Sequence, residues 1–246
     1  TIPCGMVFSV SADNIYSRGP HYYIYIVMYF GAILYLSAST VITAREFQNR
    51  SRLLIYPLIL FVMAETIIQV ALPELHVTWL CVTLLSVLYF IYCSEMWNQL
   101  DALTGLLNQN SYLKQTGGVR CKGGVLVVFD VDDFKQINDR YGHIQGDRCL
   151  AGIAECIKKS YANFGYCYRI GGDEFCVLLK NGGNEGRCKQ EFLQRLQEKR
   201  GEIAFLPTVS YGSAPFSGED IVKVKDRADQ DMYQYKKERK NRKRLS

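Results

Sequence analysis

The sequence predicts two parts of different fold class, an all-α membrane part followed by an α/β domain. Charge is distributed unevenly: of the 29 lysine and arginine residues in the 246-residue chain, only four arginines and no lysine lie in residues 1–100. Those residues contain long stretches without charge, whereas residues 101–246 alternate short apolar runs with helical patterns. A hydrophobic content of 48% excludes a disordered chain.

Three apolar stretches are predicted to cross a membrane, since a bilayer core of about 30 Å needs roughly 20 helical residues. They are residues 22–44, 53–72 and 77–94. Arg45, Arg50 and Arg52 lie in the first connector, which places that loop on the cytoplasmic side and residues after Glu95 inside the cell. We expect residues 1–93 to be a transmembrane sensory region, part of a larger bundle. The alternative, three buried helices of a soluble bundle, is disfavoured because neither long run has a polar face.

Residues 101–246 carry the patterns of an α/β domain. A Gly-Gly turn precedes an apolar run that ends at Asp130, which predicts a buried strand. Gly171, Gly172 and Asp173 separate two further strand-like runs and predict a tight hairpin turn. The predicted strands are 124–130, 166–170, 174–179 and 207–214, and the predicted helices are 146–161, 185–200 and 219–239. Residues 94–100 are too few for a flexible tether and predict a short helical linker.

Acidic residues stand at the end of the first strand and in the hairpin turn. If these two strands are neighbours, Asp130, Asp173 and Glu174 converge at one sheet edge, where unpaired carboxylates would repel one another. A divalent cation removes that repulsion, and oxygen ligands favour Mg²⁺ or Mn²⁺ over zinc. The nine cysteines contain no C-x-x-C pair and do not predict a zinc site. On spacing alone, a solvated turn remains the alternative.

Five motifs in order make this half resemble the GGDEF family of bacterial diguanylate cyclases. They are DALTGLLN at 101–108, DVDDFKQIND at 130–139, GHIQGD at 142–147, RIGGDEF at 169–175 and ADQDMYQYK at 228–236. The resemblance implies a central, mostly antiparallel sheet flanked by helices, as in the palm of nucleotide cyclases. It also implies that two GTP condense to cyclic di-GMP and two pyrophosphates across a domain homodimer. With the predicted spans, it implies a multi-pass protein of the bacterial inner membrane whose cyclase domain, residues 101–246, is cytoplasmic.

The resemblance also implies roles for individual residues. The catalytic set is Asp173, Glu174 and Lys135, the substrate-binding set is Asn138, Asp147, Phe134, Lys236 and Lys240, and the metal set is Asp130, Val131, Asp173 and Glu174. Two Mg²⁺ or Mn²⁺ ions are expected in each half-site. Arg169, Asp132, His143 and Phe134 also have a structural interpretation, as residues that order the hairpin, a loop or the core. Expected partners are GTP, a second copy, membrane lipid and an unknown sensory ligand, but no nucleic acid.

The chain departs from the family pattern at three places. Gln109 and Lys240 stand where arginine is usual, and lysine keeps the charge without the bidentate geometry for phosphate. Residues 162–165, Ala-Asn-Phe-Gly, replace the R-x-x-D motif of product inhibition. The leading hypothesis is a membrane-bound diguanylate cyclase regulated by its membrane region. The alternative is a catalytically silent module that signals by binding GTP or a partner protein.

Overall fold

The structure, a computed structural model, describes the C-terminal part of the chain almost continuously and the N-terminal part in pieces. The described residues are 8–12, 16–24, 26–28, 30–31, 34–35, 38–39, 60–61, 63–64, 67–68, 71, 78–117, 123–180 and 182–245. Two compact units make up the chain, Thr1–Met96 and Trp97–Ser246.

The N-terminal unit contains a short hairpin that the sequence patterns did not predict. Strands β1 (Phe8–Val10) and β2 (Tyr16–Arg18) pair antiparallel, and the Ser9 and Ser17 hydroxyl oxygens lie 2.6 Å apart. A helix, α1 (Thr78–Trp97), closes the unit and continues past the predicted end of the third apolar stretch.

The predicted three-span membrane fold is wrong. Among the residues described, no helix combines the length and apolar character needed to cross a bilayer. The prediction relied on stretches without charged residues, whereas a membrane span also needs an unbroken apolar helix. Of the predicted spans, 11 of the 23 residues of 22–44 and 13 of the 20 residues of 53–72 lie outside the described residues.

The same finding contradicts the predicted localisation in the bacterial inner membrane. Membrane lipid as a partner and regulation through the membrane region were expectations that depended largely on those spans, and nothing in the described part of the structure supports either.

The C-terminal unit is the predicted α/β domain. Its elements are α2 (Gln109–Thr116), β3 (Gly124–Val131), α3 (Phe134–Tyr141), α4 (His143–Tyr161), β4 (Gly165–Arg169), β5 (Glu174–Leu179), a 3₁₀ turn (Gly182–Asn184), α5 (Glu185–Glu202), β6 (Val209–Phe216) and α6 (Ile221–Leu245). The four strands form one sheet in the order β4-β5-β3-β6, and every neighbouring pair is antiparallel. The predicted hairpin turn at 171–173 and the antiparallel sheet are confirmed.

Alternate residues of the strands face two hydrophobic layers. On one face, Phe129, Phe175 and Val177 pack with residues of α4 and α5. On the other face, Val128 and Cys176 pack with residues of α6. Asp130 and Glu174 continue this second series at the strand ends, so they lie on the α6 side of the sheet.

Both outer edges of the sheet are covered. Along β6, polar side chains of α6 bond to the outer backbone: Arg227 Nη2 lies 2.9 Å from the Pro215 carbonyl, and Asp231 accepts from the Ser213 amide at 2.8 Å. Along β4, the Leu107 amide donates to the Cys167 carbonyl at 3.0 Å. Exposed strand edges favour edge-to-edge association, and these contacts block it.

Candidate functional site

The pairing of β3 with β5 brings two acidic residues together at one end of the sheet. Asp130 is the direct cross-strand partner of Glu174. Paired residues on one face of antiparallel strands have Cβ atoms about 5 Å apart, so like charges there repel. The sequence predicted that Asp130, Asp173 and Glu174 converge here if the two strands are neighbours. The strands are neighbours and bring Asp130 and Glu174 together, but among the described residues no group of three such side chains lies close enough to hold an ion.

Helix α6 brings a lysine to these acids. Val224, Ala228, Met232 and Lys236 follow one another at four-residue spacing, and the first three pack on the sheet. The helix crosses β6 at Gly212, where a Cβ atom would collide with the Ala228 carbonyl oxygen and the Met232 amide. Only glycine permits this approach of helix and strand backbones. The close crossing carries Lys236, at the end of the stripe, to the strand ends.

Lys236 forms ion pairs with two carboxylates. Its Nζ lies 2.6 Å from Asp130 Oδ1 and 3.3 Å from Asp132 Oδ1. Burial lowers the pKa of Lys236, but the hydrogen bond to Asp130 and the two negative charges outweigh burial, so this pKa lies above its ordinary value. The side chain is therefore a cation at neutral pH and neutralises part of the acidic cluster.

Asp132 is held by the start of β6. Its Oδ2 accepts from the Thr208 hydroxyl and its Oδ1 from the Ser210 hydroxyl, both at 2.7 Å. Arg239 Nη1 lies 3.3 Å from Oδ2. The carboxylate thereby fixes the loop after β3, in keeping with the structural interpretation of this residue.

Arg169 links the hairpin turn by hydrogen bonds to the first motif of the domain, residues 101–108. Its Nη2 donates to the Gly172 carbonyl at 2.7 Å, and its Nη1 donates to Asp101 Oδ1 at 3.0 Å. Asp101 also accepts from the Thr104 amide and hydroxyl. Burial raises the pKa of Asp101, but the hydrogen bonds from Thr104 and Arg169 outweigh burial and leave this pKa below its ordinary value. Arg169 thus orders the turn that carries Asp173 and Glu174.

We expect this contact to make stability depend on pH. Because the folded pKa of Asp101 is depressed, its contribution is present above the unfolded pKa of 3.8 and is lost as pH falls through the folded pKa. Asp101→Asn should lower the free energy of unfolding by about 1–2 kcal/mol at pH 7, and the difference should shrink below about pH 4. Urea unfolding between pH 7 and pH 3 measures it, with the exposed Asp226→Asn as the control. A difference that is constant over this range would contradict the assignment.

A second group of predicted residues lies where α3 meets α4. The amide of Asn138 packs against Gly146, where a Cβ atom would collide with Asn138 Oδ1. This oxygen is buried and has no hydrogen-bond partner among the described residues. Asp147 follows Gly146 and is exposed, while Phe134 packs partly against the core. An unpartnered buried acceptor beside an exposed carboxylate suits a ligand with several N–H donors.

The acidic pair has the donor chemistry of a Mg²⁺ or Mn²⁺ site, although the protein alone supplies few ligands. Among the described residues, no group of three or more His, Cys, Asp or Glu side chains lies close enough to hold an ion. Mg²⁺ is commonly bound by one or two carboxylates together with substrate phosphates. Asp130 and Glu174, with the Val131 carbonyl beside them, fit that mode. The Asp173 carbonyl accepts from the Val131 amide at 3.2 Å and ties the turn to this strand end.

Other predicted site residues lie apart from this pair. Lys135 is exposed in the first turn of α3, and no contact with the acidic pair is recorded for it among the described residues. Lys240 lies on α6, one turn beyond Lys236, and its side chain is outside the described part. Sequence reasoning missed the contacts of Thr208, Ser210 and Arg239 with Asp132. These residues follow Asp132 by 76 to 107 positions. The pairing of β3 with β6 brings Thr208 and Ser210 near, and the path of α6 across the sheet brings Arg239.

Comparison with known proteins identifies related chains. The profile described as "Diguanylate cyclase, GGDEF domain" matches residues 98–242. Diguanylate cyclase DgcP of Pseudomonas aeruginosa is 35% identical over 159 residues, which cover 58% of this chain and 23% of that protein. Diguanylate cyclase DgcS of Shewanella oneidensis is 32% identical over 154 residues, which cover 59% of this chain and 52% of that protein. The chain thus spans about half or less of the length of these curated relatives.

A solved structure resembles a larger part of the chain. Diguanylate cyclase SiaD of Pseudomonas aeruginosa, crystallised in complex with its activator SiaC, superimposes with a TM-score of 0.53 at 22% identity. The likeness covers 89% of this chain and 85% of that one. At this identity the likeness concerns the fold alone.

Proposed function

The chain belongs to the GGDEF diguanylate cyclase family, and we propose that it condenses two GTP into cyclic di-GMP and two pyrophosphates. One observation carries the proposal: Asp130 and Glu174 are cross-strand neighbours on β3 and β5, and Lys236 Nζ lies 2.6 Å from Asp130. Phosphoryl transfer requires positioning and charge neutralisation more than covalent groups from the protein. Two acids and a cation at one strand end provide the groups for both tasks.

The acidic pair is the proposed metal centre. Asp130, Glu174 and the Val131 carbonyl would hold divalent ions, with Asp173 as a further ligand or as a base. Bound Mg²⁺ or Mn²⁺, two ions in each half-site, would supply neutralisation of the phosphate charge and polarisation of the phosphorus centre. Asp130 and Glu174 contribute fixed negative charge, and the Arg169–Gly172 contact holds the turn that presents Glu174.

The proposed reaction joins two nucleotides, each bound to one domain of a homodimer. The 3′-oxygen of one GTP bonds to the α-phosphorus of the other, and the bond from that phosphorus to the pyrophosphate oxygen breaks. Asp173, if it acts as the base and not as a metal ligand, would accept the hydroxyl proton. Repetition of the step with the roles exchanged closes the ring, so two pyrophosphates leave. Lys135, Lys236 and Lys240 are proposed to hold the phosphates during both transfers.

The proposed base site favours guanine over adenine. Guanine presents N1–H and N2–H₂ donors on one edge, and the Asp147 carboxylate together with Asn138 Oδ1 offers acceptors for them. The lack of a partner for Asn138 Oδ1 within the described residues supports this assignment. Phe134 lies beside Gly146 and would form the apolar wall of the site.

The reaction class can be tested through pyrophosphate release. The full chain, incubated with GTP and Mg²⁺, should release two pyrophosphates per cyclic di-GMP, and ATP should give none. At low protein concentration the rate should rise more steeply than linearly, because two loaded domains must meet. GTP binding without pyrophosphate release would contradict the proposal and favour the catalytically silent module.

We expect no feedback inhibition through the family's product site. The residues at that place, 162–165, contain no charge, and Phe164 packs against the core. A side chain at Gly165 would collide with the Leu178 carbonyl oxygen of the neighbouring strand, so an aspartate does not fit there. Initial rates at saturating GTP should therefore be unchanged by micromolar cyclic di-GMP. Noncompetitive inhibition in that range would refute this expectation.

A further inference from the structure

Helix α6 places a second cation beside Lys236, at a position to which the family pattern assigns no role. Arg239 follows Lys236 by three residues and lies on the same side of the helix. Asp132 contacts both side chains, with Oδ1 3.3 Å from Lys236 Nζ and Oδ2 3.3 Å from Arg239 Nη1. Successive contacts thus link Glu174 and Asp130, at the proposed metal centre, through Lys236 and Asp132 to Arg239.

The hydrogen bonds of the Arg239 guanidinium are long, and its Cζ also lies 5.8 Å from the centre of the Tyr235 ring. Charge-assisted N–H···O bonds are commonly about 2.7–2.9 Å long, whereas Arg239 Nη1 lies 3.3 Å from Asp132 Oδ2 and 3.4 Å from the Val209 carbonyl. Thr208 and Ser210 already occupy the Asp132 oxygens at 2.7 Å. In the described structure only Nη1 of this guanidinium takes part in hydrogen bonds, and the side chain is 29% exposed. The remaining N–H groups can donate to a ligand.

Positive charge exceeds negative charge around Arg239. Arg200 Nη2 lies 3.4 Å from the Pro207 carbonyl, close to the start of the strand whose Val209 carbonyl Arg239 contacts. Burial, followed by the charge of Arg239, lowers the pKa of Arg200. Next to Arg239, the two guanidinium groups face one contacting carboxylate, that of Asp132, which also pairs with Lys236. An anion bound there would relieve the repulsion between the two guanidinium groups.

We propose that Arg239 binds the terminal phosphates of the nucleotide next to Lys236, an inference that rests on the proposed function. Arginine presents a planar fork of donors that matches phosphate oxygens in a bidentate manner, which a lysine such as Lys240 cannot do. Arg239 shares the Asp132 carboxylate with Lys236, so its remaining donors lie next to the lysine that is proposed to hold the phosphates. Arg239 thereby makes up for the arginine that the family pattern has at position 240.

The proposal requires that the effect of Arg239 grow with the number of phosphates. Calorimetry on the full chain with Mg²⁺ should compare GMP, GDP and the non-reacting α,β-methylene analogue of GTP. Arg239→Ala should weaken binding of the triphosphate analogue about tenfold or more and binding of GMP less than about twofold, and Arg239→Lys should give an intermediate loss. Arg187→Ala is the matched control, because Arg187 is exposed and paired with Glu191 on α5.

Thermal melting of each variant separates a folding defect from a lost phosphate contact. Should Arg239→Ala melt early, Arg239→Gln retains a donor for Asp132 and replaces it in the comparison. Equal losses for GMP and the triphosphate analogue would overturn the inference and leave Arg239 as a support for Asp132. Undiminished triphosphate binding by the variants would overturn it as well. Wild-type protein that binds no guanine nucleotide would overturn the proposed function itself.

Discussion

Replacing Asp130 with asparagine should reduce cyclic di-GMP formation by at least about a hundredfold, because it removes a proposed metal ligand at the centre of phosphoryl transfer. The asparagine amide keeps the size of the carboxylate but loses the charge that faces Glu174 and pairs with Lys236. The initial rate of product formation from saturating GTP measures the effect. Since the loss concerns charge at the reacting phosphate, raising the GTP concentration should not restore the rate.

The same substitution should change stability little. The side chains of Asp130 and Lys236 are 23% and 31% exposed, and partly exposed ion pairs contribute about 1 kcal/mol or less. Lys236 also retains its contact with Asp132. Asp226→Asn removes one carboxylate at an exposed position of α6 and serves as the control. An Asp130→Asn protein that melts normally and retains more than about a tenth of the activity would contradict the assignment of Asp130 as a metal ligand.

Replacing Gly212 with alanine should cost about 3 kcal/mol or more of unfolding free energy. The added Cβ atom would collide with the backbone of Ala228 and Met232, which cannot rotate away as a side chain can. Helix α6 would have to move off the sheet, and the stripe that carries Lys236 would move with it. Urea unfolding measures the loss, and nucleotide binding should weaken in parallel.

Gly186→Ala is the control for this substitution. Gly186 lies in α5 with open space around the position of a Cβ atom. Because alanine is favoured over glycine within a helix by about 0.5–1 kcal/mol, this change should be neutral or stabilising. A Gly212→Ala protein within about 0.5 kcal/mol of wild type would show that α6 does not cross β6 at this glycine.

Strand patterns predicted the sheet well because β3 and β5 are buried on both faces and therefore appear as nearly unbroken apolar runs. The apolar run before Asp130 and the two runs around Gly171–Asp173 became β3, β4 and β5 within two residues of the predicted bounds. The last strand begins at Val209 instead of 207, since pairing with β3 begins at Val131. Proline at 207 has no amide hydrogen to donate to such pairing.

Two short polar helices escaped prediction, α3 because it lacks the usual signals and α2 because its capping residue was assigned to a motif. Helix α3, residues 134–141, has only Phe134 and Ile137 packed against the core, and its N-cap Asp133 has a left-handed backbone with no capping bond. Helix α2 did carry a signal, since Asn108 caps it by accepting from the Ser111 amide. That asparagine was assigned to a motif and not to a helix start.

The acidic pair of the candidate site could be predicted, but its surroundings could not. Asp130 and Glu174 meet because β3 and β5 are neighbours, an adjacency that the sequence patterns left as a condition. The contacts of Asp132 with Ser210 and Arg239 depend on which strand lies on the other side of β3 and on the path of α6 across it. The separation of these residues in the sequence indicates neither the neighbouring strand nor the path of α6. The proposed role of Arg239 therefore follows only from contacts in the folded chain.

The identity of the product tests the central claim most directly. The full chain and its Asp130→Asn variant should be incubated with GTP and Mg²⁺ under identical conditions, and the products identified by mass spectrometry. The proposed function predicts cyclic di-GMP from the wild-type protein and almost none from the variant, while both bind guanine nucleotide through Asn138 and Asp147. Equal amounts of cyclic di-GMP from both proteins would contradict the proposed metal centre, and absence of cyclic di-GMP from the wild type would contradict the cyclase function.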